Sequence, residues 1–144
     1  MMIRKLQNAD MDRVAGIWLD ANLRAHCFIP PQYWKSNFDP VKEMLPRAEV
    51  YVYENGREIW GFIGLNGEYI EGIFVSGEMQ SRGIGKRLLD FVKTKKTELR
   101  LNVYQKNMRA IRFYQREGFK ILREGMDEAT GEKDYEMTWR QEWY

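Results

Sequence analysis

The chain has 144 residues, a formal net charge of +2, one cysteine and one histidine. That length suits a single domain over 1–144 with a core of its own, and ample apolar and aromatic content excludes a disordered chain. Mixed charges without a basic stripe argue against a nucleic-acid binder, and a lone Cys27 and a lone His26 exclude a disulfide, a Cys-based zinc site and a His-rich centre, so no metal is expected.

Met1 to Leu6 reads as a short first strand and lacks the long apolar core of a signal peptide. No apolar run approaches the ~18 residues of a membrane span, so a cytoplasmic protein without membrane contact is expected. Asn8 or Asp10 can cap a helix in which Met11, Val14, Ile17, Trp18 and Ala21 recur at helical spacing, running to about Arg24. From Arg24 to Lys35 comes an aromatic-rich loop holding His26, Phe28, Tyr33 and Trp34, broken by Pro30 and Pro31, with room for one helical turn after them. Asp39-Pro40 fits an N-cap and first helical position, opening a second helix that ends near Pro46.

From Val50 the period changes to that of strands. Val50 to Tyr53, Glu58 to Leu65 and Tyr69 to Val75 are joined by the turns Asn55-Gly56 and Asn66-Gly67, which makes an antiparallel meander. Gln80-Ser81-Arg82-Gly83-Ile84-Gly85-Lys86 follows, and Lys86 to Lys96 reads as a helix with Ile84, Leu88, Leu89 and Val92 on one face. A strand, a glycine-bearing turn and a helix start form a candidate anion site; the alternative is that the two glycines only let the chain turn from strand to helix. The first N–H groups of a helix lack partners, and glycines let a ligand approach them. Arg82, Lys86 and Arg87 add positive charge at that end. The turn is not a dinucleotide fingerprint, because Leu88 stands where a third small residue is needed.

Leu99 to Tyr104 alternates as the next strand, so the intervening helix is a crossover between parallel neighbours. Asn107 caps a helix bearing Ala110, Ile111 and Tyr114, stopped by Gly118. Phe119 to Glu124 and Tyr135 to Trp139 form a final hairpin. The order β-α-α-β-β-β-α-β-α-β-β implies an α/β (α+β) fold: a mixed sheet of six to seven strands, mostly antiparallel, with a central parallel pair and helices on both faces.

That order, with Gln80-Ser81-Arg82-Gly83-Ile84-Gly85 after the fourth strand, resembles the GNAT N-acetyltransferase superfamily, whose signature is Gln/Arg-x-x-Gly-x-Gly/Ala. A second block, Asn107, Ala110, Tyr114 and Gly118-Phe119, is similar to the family's Asn-x-x-Ala-x-x-x-Tyr-x-x-x-Gly-Phe. The resemblance is to small single-domain bacterial members, some of which acetylate lysine or N-terminal amines on proteins. It implies acetyl-CoA as cosubstrate, its pyrophosphate held by Gln80, Ser81, Arg82, Gly83, Ile84, Gly85 and Lys86. It also implies that the strand backbone at Phe74 and Val75 pairs with the pantetheine arm.

By spacing alone Tyr114 is a core aromatic and Asn107 a plain N-cap. The family pattern makes Tyr114 the acid that protonates the departing thiolate, with Asn107 also touching the coenzyme. The attacking amine must first lose a proton, since a free lysine has a pKa of ~10.4. Glu71 is the candidate base, through water; its side of the sheet depends on whether a bulge lies near Gly72, and His26 or a water chain remain alternatives. His26, Phe28, Tyr33 and Trp34 are expected on the acceptor side, and Cys27 to be inert. The acceptor, a small-molecule or protein amine, stays open, as does monomer or homodimer. A non-catalytic acyl-CoA sensor and a ligand-free structural domain are the alternatives.

Overall fold

The computed structural model describes residues 1–143. The helices and strands, in chain order, are β1 (Met2–Lys5), α1 (Met11–Ala25), α2 (Pro31–Ser36), α3 (Phe38–Met44), β2 (Glu49–Asn55), β3 (Glu58–Asn66), β4 (Tyr69–Val75), α4 (Ile84–Lys93), β5 (Glu98–Tyr104), α5 (Met108–Arg116), β6 (Lys120–Asp127) and β7 (Glu132–Arg140). The strands form one seven-stranded sheet in the order β1-β2-β3-β4-β5-β7-β6. All neighbours are antiparallel except β4 and β5, so the expected mixed sheet with a central parallel pair is present.

Alternation along the strands sends apolar side chains to both faces. Ile63, Leu65, Ile70, Leu101, Val103 and Met137 meet Leu88 and Leu89 of α4 and Ile111 and Tyr114 of α5. On the other face Val50, Val52 and Phe62 meet Val14, Ala15 and Ile17 of α1, with Phe38 and Val41 of α3 beside them. At the sheet's start Arg4 binds Asp10 at 2.8 Å and Glu54 at 3.0 Å, tying β1 to the entrance of α1 and to β2. The guanidinium holds both carboxyls below the usual carboxylate range.

Local bounds differ from expectation at four places. The Pro pair opens a six-residue helix, α2, with Pro31 at its first position, where a missing N–H costs nothing. The following helix starts at Phe38, with Asn37 rather than Asp39 as N-cap. Pro40 then sits at the third position, still within the turn whose N–H groups have no partner. The glycine-turn helix runs Ile84–Lys93, not Lys86 to Lys96, because Gly83, at φ 78°, already serves as its N-cap. The final hairpin is also longer than its apolar pattern, since β6 is solvent-exposed along nearly all its length and carries no burial signal.

Two irregularities shape the sheet's centre. The β3–β4 register slips between Gly64 and Leu65: Gly64 opposes Gly72 and Leu65 opposes Ile70, so Glu71 is the extra residue of a bulge. The parallel β4–β5 pair has a single matched position, Tyr69 with Arg100, beside an Arg100 N–H donating to Glu68 C=O at 2.9 Å. Beyond it β4 follows β3 to Val75 while β5 follows β7 to Tyr104, and a wedge opens between them. A Cβ at Gly72 would land within the ring of Phe74, which packs on Phe62 at 5.0 Å. Gly72→Ala therefore displaces Phe74 and destabilises the fold by about 1–3 kcal/mol in chemical denaturation; a variant as stable as the parent would show that the ring can move freely.

Candidate active site

The wedge leads into a cavity of about 1020 Å³. Four parts of the chain build it. Ile73, Phe74 and Val75 form the β4 wall; Gln80, Ser81 and Gly83 to Lys86 form one end; Asn107 to Ala110, Phe113 and Tyr114 form the α5 wall. The end of α1 adds Ala21, Asn22, Arg24 and His26.

The glycine turn is contorted in the way an anion cradle needs. Ser81 and Gly83 are both left-handed, at φ 64° and 78°. Gly83 C=O accepts the N–H of Arg87 at 3.1 Å, which leaves the N–H groups of Ile84, Gly85 and Lys86 without intrahelical partners. Backbone of this kind, at the positive end of a helix, binds phosphate oxygens. A Cβ at Gly83 would meet nothing within 4 Å and one at Gly85 only the Phe113 and Ile73 side chains at 3.6 and 3.8 Å. Gly83 is thus required by its φ, while the bare Gly85 keeps the cavity wall low.

The surrounding cations differ from the sequence expectation. Arg82 is exposed and outside the cavity lining. Lys86 lines it but is paired with Glu117 at 3.1 Å and Asp90 at 3.2 Å. Arg87 does not add charge at the cradle; it donates to Tyr53 Oη at 2.9 Å. Cations the sequence did not single out line the cavity as well, among them Arg109 and Arg24. Arg109 donates to Ser81 Oγ at 3.0 Å and Gln80 Oε1 at 3.3 Å, bracing the cradle from α5. Arg24, paired with Asp20 at 2.9 Å, spreads over Gly77. No local pattern marks either, since both act across the fold.

Asn107 caps α5: its Oδ1 accepts the N–H of Ala110 at 3.2 Å. Tyr114, two turns on, is only 8% exposed, lies edge-on to Phe113 and Phe119 at 5.2 and 5.4 Å, and lines the cavity. It is therefore both a core aromatic and a cavity residue. Burial, and then the nearby Tyr69, push its phenol well above the ordinary value, so it carries its proton at neutral pH.

Glu71 does not line the cavity. Its Cβ lies 3.9 Å from where a Gly64 side chain would begin. Gly64 is two residues from Phe62, which packs toward α1, so Glu71 sits on the α1 side of the sheet. Asn102 and Tyr104 share that side, because Leu101 and Val103 face α4 and α5. Tyr69 Oη donates to Asn102 Oδ1 at 2.8 Å and Tyr104 Oη to Asp127 Oδ2 at 2.6 Å. Asp134 and Glu136 pair with Tyr104 and Asn102 in the β5–β7 register, and burial and the charge of Asp127 push the Asp134 carboxyl up.

Of His26, Phe28, Tyr33 and Trp34, His26 alone lines the cavity. Its ring lies 5.0 Å from Tyr104, 5.7 Å from Phe28 and 5.4 Å from Trp34, the last stacked. Tyr33 packs against Trp34 at 4.9 Å. Trp34 is 7% exposed, wedged also against Trp18 of α1, so it belongs to the packing behind His26. Burial lowers the His26 pKa from 6.5 to about 4. A depressed folded-state pKa supplies stability above the unfolded value that is lost as pH falls through the folded one. Between pH 6.5 and 4 the protein should lose on the order of 2 kcal/mol more than His26→Gln, allowing for the ring's partial exposure. Parallel stability-versus-pH curves would contradict that.

The sequence profile described as Acetyltransferase (GNAT) domain matches residues 46–121. The chain is 33% identical over 140 residues to the peptidyl-lysine N-acetyltransferase YiaC of Escherichia coli K12, covering 96% of each. It is 28% identical over 120 residues to the peptidyl-lysine N-acetyltransferase YjaB of the same organism, covering 83% of this chain and 82% of that one. The solution structure of apo YjaB superposes with a TM-score of 0.85 at 25% identity, over 96% of each chain. The chain belongs to the GNAT acetyltransferase family: it is an enzyme that transfers the acetyl group of acetyl-CoA to an amine. The wedge, the cradle and the cavity between them fit that elongated cosubstrate. Among the described residues no cluster of His, Cys, Asp and Glu could hold a metal, and no helix is long and apolar enough to cross a membrane.

Proposed function

We propose that the chain is one catalytic domain that acetylates the side-chain amine of a lysine in a protein or peptide, by direct attack on the thioester of bound acetyl-CoA. The observation that carries this reading is a cluster of carboxylates beside the wedge, exposed at Glu71, part-exposed at Asp127 and Glu136 and buried at Asp134, with only Glu136 ion-paired, to Arg123 at 2.9 Å and Arg100 at 4.0 Å, among the described residues. Glu71, Asp127, Asp134 and Glu136 gather around Asn102 and Tyr104 on the side of the sheet away from α4 and α5. A lysine reaches an enzyme as an ammonium, and such a cluster attracts it. The names of the relatives support the same acceptor class.

In this reading the coenzyme's diphosphate lies on the N–H groups of Gly83 to Lys86, with Gln80, Ser81 and Arg82 around it. The pantetheine pairs with the β4 backbone at Phe74 and Val75, and a β4 N–H polarises the thioester carbonyl. Asn107 touches the arm while capping α5. The amine approaches from the acidic side, past the acceptor-side residues His26, Phe28 and Tyr33, with Trp34 behind them. Glu71 takes its proton through water. The amine nitrogen bonds to the acetyl carbon, the carbon–sulfur bond breaks, Tyr114 protonates the leaving sulfur from the opposite side of the wedge, and the second proton that the nitrogen sheds as it becomes an amide passes through water to restore the phenol.

The test has two arms. Acetyl-CoA at about 100 times its Kd should raise unfolding stability by about 2.7 kcal/mol. A peptide with a blocked N-terminus and one lysine should gain one acetyl by mass spectrometry, and its arginine counterpart none. Acetylation of free N-termini or small polyamines with the lysine peptide untouched would overturn the acceptor assignment.

A further inference from the structure

The histidine that lines the cavity has both ring nitrogens engaged. Nδ1 lies 3.0 Å from Asn22 Oδ1 and Nε2 lies 3.1 Å from Asn107 Nδ2. The proton on the ring can be assigned from one backbone group. The N–H of Ala110 can only donate, and it takes Asn107 Oδ1 at 3.2 Å. That turns the amide nitrogen of Asn107 toward His26, so Nε2 accepts and the ring proton sits on Nδ1. Nδ1–H then donates to Asn22 Oδ1, and Asn22 Nδ2 donates to Trp18 C=O at 2.9 Å. A single directed chain runs from the first turn of α5 to the body of α1, and its two ends, the N–H of Ala110 and the C=O of Trp18, fix the sense of every link.

We infer that His26 is a positioning residue: as the neutral Nδ1–H tautomer it clamps the Asn107 cap of α5, and with it the helix bearing Tyr114, to the acceptor-side end of α1. Neighbours hold the clamp in place. Trp34 of α2 stacks behind the ring, and Tyr104 at the end of β5 and Phe28 meet it edge-on. Burial keeps the imidazole neutral at physiological pH. The ring has no lone pair left for an incoming amine, since accepting a proton at Nε2 would set two donors against each other at Asn107. His26 therefore does not serve as the base. Its effect on the reaction reaches the thioester through Asn107, and this part rests on the acetyl-transfer reading above, whereas the tautomer does not.

The first experiment needs no turnover. Nitrogen-15 NMR of the ring at neutral pH should show Nδ1 protonated and Nε2 bare. Asn107→Asp keeps a good N-cap but offers Nε2 an acceptor, so the ring should gain a proton there and its pKa should rise by more than ~1 unit. An Nε2–H ring in the parent protein, or a ring unmoved by Asn107→Asp, would overturn the clamp. The second is a double-substitution cycle on acetyl transfer. His26→Ala should lower kcat by ~10–100-fold, the scale of a small misplacement, with acetyl-CoA affinity held within ~3-fold. Added to Asn107→Ala it should cost less than a further ~3-fold, because both remove one linkage. Fully additive losses would overturn action through Asn107. Absence of acetyl transfer in the parent protein would count against the proposed function alone, and the NMR result would still decide the clamp.

Discussion

Tyr114→Phe lowers kcat by about 10²–10³-fold, the range of a lost proton donor, while acetyl-CoA affinity stays within about twofold. The ring fills a place between Phe113 and Phe119, and phenylalanine keeps that packing. The swap conserves the volume of the ring, so stability should shift by less than ~1 kcal/mol. Burial makes the phenol a weaker acid than in water, but the same desolvation makes a departing thiolate a stronger base. The two effects act in the same sense on both anions, so the proton can still be shared as the carbon–sulfur bond breaks. Rapid-mixing kinetics and a coenzyme titration separate the two readouts. Unchanged kcat would remove Tyr114 from the chemistry and leave it a core residue.

Gly83→Val weakens acetyl-CoA binding by about 10–100-fold and leaves kcat at saturation nearly unchanged. The reason is backbone conformation, since a Cβ there meets nothing within 4 Å. At φ 78° an ordinary side chain pays about 1–2 kcal/mol and a β-branched one more. The chain relieves this by rotating the peptides that open α4, and their N–H groups turn away from the diphosphate. Asparagine tolerates the left-handed region, so Gly83→Asn should retain affinity within ~3-fold. Calorimetric titration of both variants checks the pair. Equal affinities for the valine and asparagine variants would mean that the cradle does not hold the coenzyme.

The glycine turn, the Asn107 cap and the helix carrying Tyr114 were legible because each is written within one turn of chain. Left-handed glycines, an Asn before a helix and an apolar face at helical spacing are local signals. The parity of Glu71 was not, because the bulge that assigns its side is a mismatch between two strands. Arg87 was misread as part of the cradle for a similar reason: its partner, Tyr53, lies on β2. Trp34 looked like a wall of the acceptor site and is packing, since only the fold brings Trp18 and His26 against it. The His26 clamp joins residues 81 apart. Only its nearer half had a visible trace: Asn22 and His26 lie one helical turn apart.

The most direct measurement is a crystal structure of the protein with acetyl-CoA bound. The predicted result has diphosphate oxygens about 2.7–3.2 Å from the N–H groups of Gly83 to Lys86, pantetheine along β4, and the sulfur in the wedge beside the Tyr114 hydroxyl. A diphosphate bound away from the start of α4, or a sulfur out of hydrogen-bond reach of Tyr114, would contradict this account of the site.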